Sequence, residues 1–151
     1  SDTMNEAYCS LLKQKLDVWQ SKHGKFDVVI GCETEGIRIG YVLSKLINLP
    51  FYIMPKKSTD YSEVVIPAYS VDTHWLIVDD IVTTGSTYIK AVDFLDIEEK
   101  PESITFACMI KRNTENMDYS AVHGDPDKEQ LHVRDERFDF IDKRLVALHS
   151  E

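Results

Sequence analysis

The stretch LIVDDIVTTGST, residues 76–87, decides how this chain is read. Leu76, Ile77 and Val78 have the character of a buried strand, and the run ends in two adjacent carboxylates, Asp79 and Asp80. Thr83, Thr84, Gly85, Ser86 and Thr87 follow shortly after, and Tyr88, Ala91, Val92 and Leu95 then recur at helical spacing. In an open parallel sheet, ligands bind beyond the carboxyl ends of the strands, which is where this loop falls. Two like charges side by side repel each other and call for hydroxyl donors, a cation, or both. A ribose diol with a bound magnesium ion supplies both. The backbone N–H groups and hydroxyls of Thr83 to Thr87 stand at the positive end of a helix dipole, which suits a phosphate. Gly85 permits the tight turn. Either half alone reads as a strand end or an N-cap; both together, in this order, favour a ligand site.

The flanking sequence supplies the rest of an α/β pattern. HWLIVDD (74–80) is one of four expected core strands, with FDVVIG (26–31), LPFYIMP (49–55) and SITFACMIK (103–111). Helices are expected from a Thr3–Glu6 capping box to about Lys22, over 36–48, and over 87–95. VVIPAYS (64–70) predicts a further short strand, interrupted by Pro67, and KKSTDYSE (56–63) is polar. Strands alternating with helices imply a mostly parallel sheet flanked by helices. After Arg112 the pattern dissolves, and RFDFIDKRLVAL (137–148) resumes as a strand or a short helix. The expected organisation is one domain over 1–151, with a core of about 1–111 and a small C-terminal hood of about 112–151.

Composition narrows the function. The chain has 151 residues, 43% hydrophobic and 28% charged, which is ordinary globular composition with room for a real core. Its net charge of −9 argues against a nucleic-acid partner held on a broad basic face, but leaves room for a phosphorylated small molecule. Cys9, Cys32 and Cys108 lack metal-binding spacing and read as free thiols in a reducing compartment. Cys32 adjoins a candidate loop, yet no neighbour in sequence supplies an activating base. No apolar run reaches the length of a membrane span and no basic-then-apolar leader is present, so a cytoplasmic protein without a membrane partner is expected.

Two further loops belong to the same edge of the sheet. GCETEG (31–36) is neither a P-loop nor a dinucleotide fingerprint, because Ile37 and Arg38 stand where a P-loop needs Lys and Ser/Thr, and the middle glycine is missing. It reads either as a plain strand-to-helix turn or as a second set of anion-facing backbone N–H groups. Lys56 and Lys57 follow the second strand, where a lysine pair either is solvated or meets a pyrophosphate.

Together these residues resemble the type I phosphoribosyltransferases. LIVDDIVTTGST is similar to that family's motif for phosphoribosyl pyrophosphate, and VVIGCETEGIRIGYVLSKLINLPFYIMPKK resembles its pyrophosphate-loop region. The similarity covers roughly 26–111. The resemblance implies that Asp79 and Asp80 hold the ribose hydroxyls directly or through Mg2+, and that Thr83, Thr84, Gly85, Ser86 and Thr87 hold the 5-phosphate. It implies that Glu33, Thr34, Glu35 and Gly36 form a pyrophosphate loop, which in the family often contains a non-proline cis peptide. Lys57, with Lys56, would meet the pyrophosphate; 58–70 would be a lid and 112–151 the hood over the base. Lys111, in MIKRNT, would read a ring oxygen of the base, and Phe138 or Phe140 would either stack on that base or pack the hood. A homodimer is expected.

The implied activity is a magnesium-dependent pentosyl transfer, joining a purine or orotate-like base to phosphoribosyl pyrophosphate with release of pyrophosphate. Glu35 is an acid where many members carry Arg, Lys or a small residue, and the lid is short. Both motivate a second reading, a non-catalytic sensor of phosphoribosyl pyrophosphate or a nucleotide. A phosphoryl-accepting aspartate enzyme fits poorly, since that chemistry wants D-x-D-x-T and the order here is Asp79-Asp80-Ile81-Val82-Thr83.

Overall fold

In the computed structural model, which describes residues 2–56, 66–97, 103–112 and 137–151, the aliphatic runs assemble into one parallel sheet. Its strands are β1 (Val28–Cys32), β2 (Phe51–Met54), β3 (Trp75–Val78), β4 (Ile81–Val82), β5 (Ile104–Lys111) and β6 (Leu145–Ser150). They lie in the order β2-β1-β3-β5, with β6 on the far side of β5. Strand β4 prolongs β3: Val78 opposes Ala107 and Ile81 opposes Ile110, so the register carries across Asp79 and Asp80 without a slip. At the interruption the Asp80 carbonyl accepts the N–H groups of both Met109 (2.8 Å) and Ile110 (3.1 Å).

A sheet that is parallel throughout is buried on both faces, and β1 and β3 are buried at every residue. Alternation sends Val29, Leu76, Val78 and Ala107 to one face, where helices α1 (Asp2–His23) and α2 (Glu35–Ile47) cover them with Leu12, Leu16 and Leu43. Ile30, Ile77, Ile104 and Phe106 point to the other, under α3 (Ser86–Phe94) and α4 (Arg137–Asp142). Among the described residues, no helix is long and apolar enough to cross a membrane.

Three expectations are corrected. Thr3 does not cap α1, because the helix already begins at Asp2. The segment 66–70 is irregular rather than a strand, since Pro67 has no N–H to give a ladder; Ile66 and Tyr69 instead pack on the core, and 64–65 lie outside the described residues. The core does not end near 111. Strand β6 pairs with β5 from Phe106↔Leu145 to Lys111↔Ser150, and Phe140, Ile141 and Val146 are buried, so 137–151 is part of the sheet and its covering layer. The remainder of the expected hood, 113–136, lies outside the described residues, as does 58–65 of the expected lid.

Candidate functional site

Because all strands run one way, their carboxyl ends share one edge, where the loops 31–36 and 79–87 meet and β2 leads into Lys56. Asp79 is buried and Asp80 half-buried. One oxygen of each carboxylate turns back on the chain: Asp79 Oδ1 accepts the Asp80 N–H (2.9 Å) and Asp80 Oδ1 accepts the Ile81 N–H (2.8 Å). Burial pushes the Asp79 carboxyl up to about 7. The Asp80 N–H opposes that rise, the Asp80 carboxylate adds to it, and the Thr87 hydroxyl lowers it by hydrogen bonding. A carboxylate held at such cost in a sheet end is suited to a ligand that brings donors or positive charge.

The turn into α3 is open to an anion. Gly85 occupies the N-cap in the left-handed region (φ 78), where a side chain is strained. It supplies no side-chain cap, and the first turn carries no acid. Thr84 Oγ1 accepts the Ser86 N–H at 3.3 Å, curling the loop over the helix start. Thr83, Thr84 and Thr87 are half-buried, Gly85 is buried and Ser86 is exposed. Hydroxyls and backbone donors thus surround the positive end of the dipole.

The loop 33–36 closes on the same edge. Its Glu33–Thr34 peptide is cis, at the place the family resemblance implied. The Glu33 N–H donates to the Met54 carbonyl (2.9 Å), and the Glu33 carboxylate accepts the Lys56 N–H (3.3 Å), tying this loop to the end of β2. Thr34 and Glu35 are exposed, with Glu35 in the first turn of α2. Gly36 is the joint between the two loops. A Cβ there would stand 2.5 Å from the Val78 carbonyl oxygen and 3.1 Å from Asp79 Cα, so only glycine lets α2 start against the acid pair.

The structure therefore brings together Asp79, Asp80, Thr87 and Gly36 on one side and Glu33 and the Lys56 backbone on the other. Lys56 itself is exposed. Lys57 and the Phe138 side chain lie outside the described residues. Lys111 is engaged in an ion pair with Asp142. Phe140 is a core residue, edge-on to Phe106 (6.3 Å between centroids) with the Arg144 guanidinium over its ring, which removes it as a base-stacking group. Cys32 is buried, and burial together with Asp79 pushes its thiol upward, so it stays protonated and inert. Tyr88 was legible only as part of a helix face. It is fully buried, and its hydroxyl donates to the Ala107 carbonyl, which also accepts the Asp79 N–H (3.0 Å). The one available signal was a phenol where an aliphatic side chain would fill the same face. Among the described residues, no three His, Cys, Asp or Glu side chains converge to hold a metal by themselves.

A family model described as a phosphoribosyl transferase domain matches residues 10–130. The chain belongs to that family. An orotate phosphoribosyltransferase of Sulfurisphaera tokodaii is 30% identical to this phosphoribosyl transferase domain over 99 residues, 65% of the chain and 46% of the relative. The domain thus spans under half the length of that curated relative at the matched region. Among solved structures, the APRTase from Giardia lamblia complexed with 9-deazaadenine superposes with a TM-score of 0.58 at 14% identity, covering 95% of this chain and 79% of that one. The purine phosphoribosyltransferase from Pyrococcus horikoshii superposes with a TM-score of 0.56 at 21% identity, covering 76% of each chain. These structural likenesses show the phosphoribosyltransferase fold.

Proposed function

We propose that this chain is a phosphoribosyltransferase that joins a purine or orotate-like base to phosphoribosyl pyrophosphate and releases pyrophosphate. The observation that carries the reading is the buried Asp79 and half-buried Asp80 standing directly before the uncapped, hydroxyl-lined start of α3. Asp79 and Asp80 hold the ribose hydroxyls, Thr83 to Thr87 cradle the 5-phosphate, and the loop Glu33 to Gly36 meets the pyrophosphate, with the backbone N–H groups of Thr34 to Gly36 as its donors because that of Glu33 is given to Met54. Lys56 and Lys57 add positive charge at the leaving group.

Asp79 and Asp80 also suit Mg2+: they are hard oxygen donors, and two carboxylates are too few to enclose the ion, so substrate and water oxygens would complete its shell. When bound, magnesium neutralises charge that builds on the departing pyrophosphate. The protein's own part is to fix the sugar as its anomeric carbon gains oxocarbenium character, and to keep water from that carbon. The relatives differ in base, one being an orotate and another a purine phosphoribosyltransferase, and both classes are compatible with this site.

A specific observation favours a second reading. Glu35 puts an exposed acid in the first turn of α2, inside the loop that must receive pyrophosphate. That acid satisfies the helix dipole itself and repels an incoming anion. A non-catalytic sensor of phosphoribosyl pyrophosphate or a nucleotide would have this feature. The test is pyrophosphate release from phosphoribosyl pyrophosphate and Mg2+ with each of adenine, hypoxanthine, guanine, xanthine, uracil and orotate. Release with one base, lowered at least ~100-fold in Asp80→Asn, is the expected outcome. Tight binding without release from any base would establish the sensor instead.

A further inference from the structure

We infer that Tyr88 is a positioning residue: its hydroxyl and the Asp79 amide share the Ala107 carbonyl, which fixes the start of α3 relative to the acid pair. The inference rests on the assignment of Thr83 to Thr87 to the 5-phosphate and of Asp79 and Asp80 to the ribose.

Helix α3 has no side-chain cap at its start. It is a nine-residue helix whose N-cap is a glycine, so its first turn has no anchor of its own kind. One polar tie fastens that turn to the sheet instead: Tyr88, in the first turn, sends its hydroxyl down to β5. The acceptor it finds is the same carbonyl that orients the Asp79 backbone at 3.0 Å. One atom of β5 thereby sets the place of both halves of the candidate site.

The ring of Tyr88 packs on Phe106 with centroids 4.8 Å apart, and a phenylalanine would pack equally well. The hydroxyl is what packing does not require. Burial raises its ionisation well above the ordinary value, so it remains a donor throughout the working range. A sugar phosphate is a fixed span from diol to phosphate. A shift of α3 against Asp79 misfits a ligand that touches both ends and spares one that touches a single end.

The test is calorimetric binding of ribose 5-phosphate and of inorganic phosphate to the full chain, to Tyr88→Phe and to Tyr69→Phe. Tyr69 is the matched control: its hydroxyl bonds Ser103 Oγ (2.6 Å) at the opposite, amino end of β5. In Tyr88→Phe, ribose 5-phosphate should weaken about 10-fold while inorganic phosphate keeps its affinity. Tyr69→Phe should leave both unchanged. Unchanged ribose 5-phosphate affinity in Tyr88→Phe overturns the inference. So does an equal loss in Tyr69→Phe, or a Tyr88→Phe chain that does not fold, since either makes the hydroxyl a general anchor. A parent chain that binds neither ligand overturns the proposed function and this inference with it, and is told apart by failing before any substitution.

Discussion

At the scale of single residues, Gly36 shows two opposing magnitudes. Alanine is the better helix former by about 0.5–1 kcal/mol, so Gly36→Ala at the head of α2 would stabilise a free helix. Here the added methyl meets the Val78 carbonyl oxygen at 2.5 Å and Asp79 Cα at 3.1 Å, both backbone atoms that cannot swing away. Such overpacking costs about 1–3 kcal/mol, so the steric term wins. Gly36→Ala should lower stability in urea melts by roughly 1–2 kcal/mol. It should also weaken phosphoribosyl pyrophosphate more than inorganic phosphate, because α2 and Asp79 are pushed apart. A variant as stable as the parent would show that the loop yields freely. The acid pair and the threonine turn were legible in the sequence because their chemistry is local. The contact that makes Gly36 obligatory was not, since it joins residues 36 and 78 through tertiary packing alone.

At the scale of elements, a polar relay fastens α1 to the sheet. The Trp19 indole donates to Thr105 Oγ1 (2.9 Å), and the same hydroxyl lies 2.9 Å from His74 Nε2. An indole N–H only donates, so the Thr105 oxygen accepts there, while His74 Nε2 shares the same hydroxyl as donor or acceptor according to its tautomer. Burial holds the His74 pKa below the ordinary 6.5, against the opposing pull of the Gly24 carbonyl and Asp27. Between the folded value and 6.5, the unfolded chain binds more protons, so stability falls as pH drops through that window and is complete above it. Denaturant melts from about pH 8 to about pH 5 should show that decline, and His74→Gln should flatten it. An identical slope in His74→Gln would assign the decline to other groups. Thr105→Val strands both partners and should cost about 2–3 kcal/mol. Nothing in the spacing of 19, 74 and 105 announces this relay, because each residue comes from a different element.

At the scale of the whole molecule, alternating strands and helices made the parallel sheet readable, and the boundaries of α1, α2 and α3 fell within a residue or two of their periodic runs. The last strand was misplaced for a physical reason. LVALHS carries too few residues to separate strand from helix by period, and its partner β5 precedes it by more than thirty residues. What made it a strand was the open edge of β5 beside Phe106 and Ala107, a property of the assembled sheet. The two placements predict opposite results for a chain ending at Asp142. A detachable hood could be shortened with the core intact. A sheet strand cannot: removing 143–151 unpairs β5 from 106 to 111, strips the Lys15 ammonium of its acceptors on Ala147 and Leu148, and uncovers the buried faces that Val146 closes. The exposed parallel edge would then be a site of self-association. The truncated chain should lose its cooperative thermal transition and elute as aggregate in size-exclusion chromatography. Full-length-like melting would return β6 to the status of an appendage, and with it the hood boundary near 111.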